Sequence, residues 1–238
     1  MLIAHEIAHQ WFGDSASEKE WHHIWLSEGF ATYFCLLYTW FVHGEDKRRA
    51  EMITDRNQVI NYHKKAQLPV VNLAVTDWMK LLNVNSYQKG SWVLHMLRQE
   101  VGNENFWTGI REYYRAFQNS NALTEDLQRI MEKVSGRDLK QFFNQWIFAA
   151  GHPVIDGSWT LDAAAKNLQF SVEQVQKGQL FNFPLEIGIF QEGDVYPRIE
   201  TVRIDKQTNK FSIPITAKPA RIVVDPRINL LFEGSLRN

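Results

Sequence analysis

The chain has 238 residues, of which 45% are hydrophobic and 22% are charged, and its formal net charge is −1. The apolar content excludes intrinsic disorder as the main state, and the near-neutral charge argues against a nucleic-acid binder, which needs a basic surface. The single cysteine, Cys35, excludes an intrachain disulfide framework and a metal cluster built from several cysteines. We therefore expect one large or two small folded domains and no nucleic-acid partner.

The composition of the chain changes near residue 150. Most of the nine tryptophans precede this point, and most of the seven prolines follow it. Apolar residues recur at three- and four-residue spacing before it, which predicts helices, and alternate after it, which predicts short strands. Helices are predicted over residues 2–11, 24–42, 86–101, 105–117, 124–134 and 137–149. Strands are predicted around residues 168–172, 185–189, 199–204, 211–215 and 222–224. The predicted fold is α+β, with a mostly helical domain over residues 1–152 and a small antiparallel β-sandwich over residues 153–238.

Two local features add detail to the helical part. Thr124 is predicted to be the N-cap of its helix, because Glu125 and Asp126 follow it in the first turn, where the helix dipole favours anions. The basic run 47–49 is expected to be a short solvated segment and not a nucleic-acid patch.

The sharpest motif is His5-Glu6-Ile7-Ala8-His9. Two histidines four residues apart lie on the same face of a helix, one turn apart, so that their imidazoles can share one metal ion, most commonly zinc. Glu6 lies between them, where a carboxylate can hold the attacking water and take its proton. The motif fixes only three positions, so a chance pair of helix histidines is the alternative.

A single acidic residue, Glu28, interrupts the apolar run 24–42. An unpaired buried carboxylate is costly, so Glu28 needs a cation, and a zinc ion held by His5 and His9 would supply it. The run also has about the length of a membrane span, but Glu28 lies inside it and its flanks show no clear charge asymmetry. An ordinary buried helix with an ion-paired glutamate is the other alternative. We favour the metal site, with His5, His9 and Glu28 as its three protein ligands.

These motifs resemble those of a known family of zinc peptidases. His5-Glu6-x-x-His9, followed after eighteen residues by Glu28 within the segment 25–31, is similar to the gluzincin metallopeptidases, and most similar to the aminopeptidase N family. The segment 10–14 (Gln-Trp-Phe-Gly-Asp) and the segment 86–90 (Ser-Tyr-Gln-Lys-Gly) are also typical of that family. The segment 145–153 resembles the end of the family's catalytic domain.

The resemblance implies a fold, an activity and roles for particular residues. It implies that the first part is the helical half of a thermolysin-like zinc peptidase domain and that the second is the family's β-sandwich domain. It implies an aminopeptidase that removes N-terminal residues from peptides with one zinc ion per chain. Glu6 would then be the general base, and Tyr87 would hydrogen-bond the oxyanion of the tetrahedral intermediate. His22 and His23 are expected to lie outside the set of ligands.

The sequence departs from the family pattern at two points. Ser27 stands where the family commonly has asparagine, and we expect little effect because this position need not touch the metal. The family's Gly-x-Met-Glu-Asn segment, which binds the free amino group of the substrate, is absent. In the family this segment precedes the zinc helix, so we expect the chain to be a fragment whose partner domains lie before Met1. The isolated chain is accordingly expected to be weakly active or inactive.

Two other functions remain open. A non-catalytic scaffold could keep the peptidase fold, although it would be free to lose His5, Glu6, His9, Glu28 and Tyr87. An endopeptidase or an epoxide hydrolase could use the same zinc site, because the choice depends on the absent amino-anchoring segment.

Overall fold

The structure is a computed structural model that describes residues 2–162, 164 and 166–237. The chain forms two compact units, Met1–Gly151 and His152–Asn238. The first unit is helical apart from one short pair of strands, and the second is built from two β-sheets. The predicted α+β class is thereby confirmed.

The described part of the first unit includes seven α-helices and one parallel pair of short strands. The helices are α1 (Leu2–His9), α2 (Trp25–His43), α3 (Glu45–His63), α4 (Gly90–Val101), α5 (Asn103–Phe117), α6 (Thr124–Ser135) and α7 (Lys140–Phe143). The strands are β1 (Ala16–Glu18) and β2 (Ser120–Ala122). The π-helical segment Asn85–Lys89 leads into α4. A second π-helical segment, Asn144–Phe148, follows α7. Large aromatic side chains fill the core of this unit, including Trp25, Phe30 and Trp146.

Helix α3 was not predicted, because few of its positions are apolar and two of its buried residues, Arg48 and His63, are polar. The expectation that the run 47–49 is solvated is wrong for Arg48, which is buried. Its guanidinium pairs with Glu45 one turn earlier and lies 5.2 Å from the ring centre of Trp40. A paired charge stacked on an aromatic ring can be buried at a modest cost.

The predicted N-cap of α6 is also wrong by one residue. The N-cap is Leu123, whose backbone N–H donates to Asp126 Oδ2 at 2.9 Å. The Thr124 hydroxyl instead accepts from Trp25 Nε1 at 2.8 Å and lies 2.8 Å from His23 Nδ1. Thr124 therefore ties the start of α6 to the start of α2 and does not cap its own helix.

The apolar helix α2 raised the possibility of a membrane span. Among the described residues, no helix combines the length and the apolar character that a membrane crossing requires. Much of α2 packs inside the first unit, where Trp25, Phe30, Ala31 and Tyr33 are fully buried.

The described residues of the second unit contain seven strands in two sheets. The strands are β3 (Val154–Asp162), β4 (Asn167–Gln174), β5 (Phe183–Phe190), β6 (Arg198–Ile204), β7 (Thr208–Pro214), β8 (Arg221–Val224) and β9 (Glu233–Arg237). One sheet has the order β7-β4-β3-β9 and the other the order β6-β5-β8. The alternation predicted for β4 and β5 appears as burial of every second residue, for example Leu168, Phe170 and Val172.

One detail of the predicted sheets requires correction. The four-stranded sheet is mixed and not antiparallel, because β9 pairs with β3 in the parallel direction, from Val154↔Glu233 to Ser158↔Arg237. Neither strand was predicted from the sequence. The five residues of β9 do not alternate between apolar and polar side chains, so the hydrophobic pattern could not show the strand or its direction.

Candidate metal and catalytic site

Helix α1 places His5 and His9 on one face, one turn apart, as their spacing predicts. Their Nε2 atoms lie 3.1 Å apart, and the two rings meet edge to face with centres 4.7 Å apart. Both side chains are partly buried. The two nitrogens therefore point to one common position beside the helix.

Glu28 approaches the same position from the first turn of α2. Its Oε2 atom lies 3.2 Å from His5 Nε2 and 3.3 Å from His9 Nε2. These three residues form the one group of at least three metal-ligating side chains found among the described residues.

The spacing of these three atoms fits a tetrahedral zinc ion. Ligand atoms about 2.0–2.1 Å from a tetrahedral ion lie about 3.3 Å from one another. The three distances in the structure, 3.1, 3.2 and 3.3 Å, agree with that geometry. Two histidines and a carboxylate are also a common donor set of catalytic zinc sites, in which the fourth position stays open.

The charges within this cluster are strongly coupled. Burial alone would raise the pKa of the Glu28 carboxyl, but hydrogen bonds with His5, His9 and Tyr87 outweigh burial and lower that pKa to about 2. The hydrogen bond to Glu28 raises the pKa of His9, against the opposing effect of burial. Glu28 is therefore an anion over the whole physiological pH range, as a metal ligand must be.

Tyr87 lies beside the cluster, within the π-helical segment Asn85–Lys89. Its ring stacks on the ring of His5, with centres 6.0 Å apart and planes inclined by 12°. Burial raises the pKa of Tyr87 to about 12, and the charges of Glu28 and Glu6 act in the same direction. The hydroxyl is therefore protonated at neutral pH and can donate a hydrogen bond.

The π-helical segment that carries Tyr87 is held at both ends. At its start, the side-chain oxygen of Asn85 lies 2.9 Å from His63 Nε2. The side-chain amide nitrogen of Asn85 donates a hydrogen bond to the carbonyl oxygen of Leu68. At its end, the fully buried Lys89 donates to the carbonyl of Gly151 at 3.0 Å. Single π-turns are uncommon and frequently occur at functional sites.

Glu6 lies on α1 between the two histidines and is exposed to solvent. Its negative charge contributes to the raised pKa of both His9 and Tyr87, so the carboxylate lies near the site. A carboxylate that is close to the site and exposed to water can exchange protons with a water molecule bound there.

The two neighbouring histidines lie outside the cluster. His22 Nε2 lies 3.1 Å from the carbonyl oxygen of Val75, and its ring contacts Trp78 edge to face. His23 is buried, its Nδ1 accepts a hydrogen bond from the Thr124 N–H at 3.1 Å, and burial lowers its pKa. Neither is in the group of metal-ligating side chains.

Ser27 makes a contact that the sequence alone does not indicate. Its Oγ atom lies 3.2 Å from His9 Nδ1, which is the ring nitrogen that does not face His5 and Glu28. We expected little effect from Ser27 because it need not touch a metal. Ser27 nevertheless contacts His9, which is a proposed metal ligand. No motif spacing could show this contact, because it depends on how α1 and α2 cross.

Sequence comparison places the chain among known peptidases. Residues 1–146 match the Peptidase family M1 domain. Aminopeptidase N of Lactococcus lactis subsp. cremoris (strain MG1363) is 33% identical over 196 residues, which cover 77% of this chain and 23% of that enzyme. Aminopeptidase M1-C of Oryza sativa subsp. japonica is 31% identical over 158 residues, which cover 65% of this chain and 18% of that enzyme.

Structural comparison shows the same fold in a solved enzyme. Aminopeptidase A of Legionella pneumophila, crystallised in complex with aspartic acid, matches with a TM-score of 0.81 at 18% identity. The match covers 98% of this chain and 26% of that chain, so the chain spans about a quarter or less of the length of these relatives. The resemblance carried by the sequence motifs is confirmed: the chain belongs to peptidase family M1.

Proposed function

We propose that this chain carries the zinc-binding catalytic part of an aminopeptidase that hydrolyses N-terminal residues from peptides. The observation that carries this proposal is the convergence of His5 Nε2, His9 Nε2 and Glu28 Oε2 at distances of 3.1–3.3 Å. The relatives named aminopeptidase support the peptidase class.

His5, His9 and Glu28 would hold one zinc ion per chain. When bound, zinc supplies Lewis-acid chemistry, because it polarises a peptide carbonyl and makes an attacking water more acidic. The anionic Glu28 offsets part of the positive charge of the ion. The two imidazoles are neutral donors when they bind a metal.

Glu6 and Tyr87 would carry the proton transfers and the charge stabilisation. Glu6 takes the proton of the attacking water and then passes it to the leaving amine, a role that suits an exposed carboxylate beside the ligands. The Tyr87 hydroxyl donates a hydrogen bond to the oxygen of the scissile carbonyl as negative charge develops there. Its pKa of about 12 keeps the proton available for that bond.

The action on free N-termini is expected to need more of the polypeptide than these 238 residues. The relatives are about four times longer or more than the matched region, and the family segment that binds the substrate's amino group is not in this sequence. We therefore propose that this chain is part of a longer enzyme and works together with other domains of the same polypeptide.

An apolar groove on the first unit supports this proposal. It is a cavity of about 840 Å³ between α1, α2 and α5, lined mainly by apolar side chains that include Ile3, Ile7, Trp11 and Trp107. Ile3 is 75% exposed and Ile7 is 53% exposed, which is unusual for isoleucine in a folded helix. We propose that upstream domains of the same polypeptide cover this groove.

Product analysis tests the proposed activity. The complete polypeptide, loaded with zinc, is incubated with a free peptide and with the same peptide acetylated at its N-terminus. Release of the first residue from the free peptide only, abolished by a chelator, supports the aminopeptidase. Internal cleavage of the blocked peptide would indicate an endopeptidase, turnover of an epoxide without peptide cleavage would indicate an epoxide hydrolase, and zinc binding without any turnover would favour a scaffold.

A further inference from the structure

The strongest unexplained contact near the site involves the buried hydroxyl of Ser27. Ser27 lies on α2 directly before Glu28, and it is only 6% exposed. Its Oγ atom lies 3.2 Å from Nδ1 of His9. The other ring nitrogen, Nε2, is the one that faces His5 and Glu28. Ser27 therefore contacts the side of the His9 ring opposite the proposed metal.

The neighbours of His9 Nδ1 determine where the ring carries its hydrogen. The backbone carbonyl oxygen of Phe12 lies 3.1 Å from Nδ1, and a carbonyl oxygen can only accept. Nδ1 must therefore carry the hydrogen, so the lone pair of the neutral ring is on Nε2, as metal binding requires. The Ser27 hydroxyl oxygen is a second acceptor within reach of the same N–H.

Gly13 closes the space around these two groups. A Cβ atom at position 13 would lie 2.4 Å from Ser27 Oγ and 2.9 Å from His9 Nδ1, and the φ angle of Gly13 is +126°. Both observations require glycine at this position, because the backbone approaches the pair closely and adopts a conformation that other residues avoid. The Ser27 hydroxyl is thus confined between the His9 ring and the chain after α1.

We propose that Ser27 is a positioning residue that fixes the ring orientation of His9 for metal binding. This inference rests on the proposed zinc site. Ser27 is adjacent to Glu28 on α2. The hydrogen bond between Ser27 and His9 therefore links α2, which supplies the proposed ligand Glu28, to the side chain of the proposed ligand His9. Partners of this kind on a ligating histidine typically change metal affinity by about 10–100-fold when they are removed.

The experiment compares the zinc affinity of three proteins by competition with a chromophoric chelator. Ser27→Ala removes the hydroxyl with little change in volume. Thr39→Val is the matched control, because it removes a buried hydroxyl from the same helix, where Thr39 donates to the carbonyl of Cys35. Circular dichroism and thermal unfolding of the metal-free proteins show whether each variant folds.

We expect the zinc dissociation constant of Ser27→Ala to rise about 10–100-fold, whereas that of Thr39→Val stays within about twofold of wild type. The visible spectrum of the Co²⁺-substituted protein should change in Ser27→Ala only, because it reports the geometry of the ligands. Unchanged zinc affinity and an unchanged Co²⁺ spectrum in a folded Ser27→Ala protein would overturn this inference alone. Absence of zinc binding by the wild type would overturn the proposed metal site as well.

Discussion

Gly29 and Gly90 bring the backbones of α2 and α4 into direct contact. A Cβ atom on Gly29 would lie 3.0 Å from the Cα atom of Gly90 and 3.2 Å from the carbonyl oxygen of Ser86. Gly29 follows Glu28, and Gly90 comes three residues after Tyr87. The contact therefore sets the distance between the segment that carries a proposed metal ligand and the segment that carries the proposed oxyanion donor.

The first prediction concerns this contact. In an open helix, replacing glycine by alanine stabilises the protein by about 0.5–1 kcal/mol. At the α2–α4 contact, Gly90→Ala should instead destabilise it by about 1–3 kcal/mol, because the added methyl group meets the Gly29 backbone at 3.0 Å. Urea unfolding of Gly90→Ala and wild type measures the difference, and a more stable Gly90→Ala would contradict the packing argument.

The second prediction concerns Tyr87. In the complete polypeptide, Tyr87→Phe should lower kcat by about 10²–10³-fold, the usual effect of removing one oxyanion donor. Zinc should still bind with one ion per chain, since the hydroxyl is not a proposed ligand. Tyr196→Phe is the control, because Tyr196 is 84% exposed in the second unit. Equal turnover by Tyr87→Phe and wild type would show that the hydroxyl does not act in the reaction.

The third prediction concerns Glu6. Glu6→Gln keeps the size of the side chain and removes its capacity to take a proton, so turnover should fall by about 10²–10⁴-fold. Zinc should still bind with one ion per chain, because the ligands are untouched. Glu104→Gln, which changes an exposed acid on α5, serves as the control. Near-normal turnover of an aminoacyl substrate by Glu6→Gln would remove Glu6 from the role of general base.

The fourth prediction follows from Lys89. Burial lowers its pKa from an ordinary value of 10.5 to about 7. Between these two values the unfolded chain binds a proton that the folded protein does not, so the contribution of Lys89 to stability rises with pH. This contribution is complete above pH 10.5 and is lost as the pH falls through about 7.

Lys89→Met removes this titration and keeps an unbranched side chain. The free energy of unfolding of wild type, minus that of Lys89→Met, should therefore increase with pH by up to about 1.4 kcal/mol per unit. Denaturant unfolding of both proteins between neutral pH and pH 10 measures this difference. A difference that stays constant over that range would mean that Lys89 is charged in the folded protein.

The sequence carried much of the information about the fold and part of that about the site. The spacing of His5 and His9 places them on one helix face, and the lone acid in an apolar run singles out Glu28. The order of most helices and strands follows from periodicity, although α3, β3 and β9 do not. These features are local, so a pattern along the chain can show them.

Other features depend on which segments meet in space. The contact of Ser27 with His9 requires the crossing of α1 and α2 and the unusual backbone of Gly13. The burial of Arg48 and Lys89 contradicts their usual preference for solvent. Lys89 is buried against the carbonyl of Gly151, which is distant in the chain, and Arg48 is buried against Trp40 of the preceding helix. The parallel strand β9 has no hydrophobic alternation, so only its pairing partner defines it.

The most direct test of the proposed site is the zinc content of the purified protein, measured by elemental analysis after dialysis. We predict one zinc per chain in wild type and in His22→Ala, whose histidine lies outside the cluster. Zinc should be absent, or bound far more weakly, in His9→Ala and Glu28→Ala. A wild-type protein without zinc, or a Glu28→Ala protein that still holds one zinc as tightly as wild type, would contradict the account.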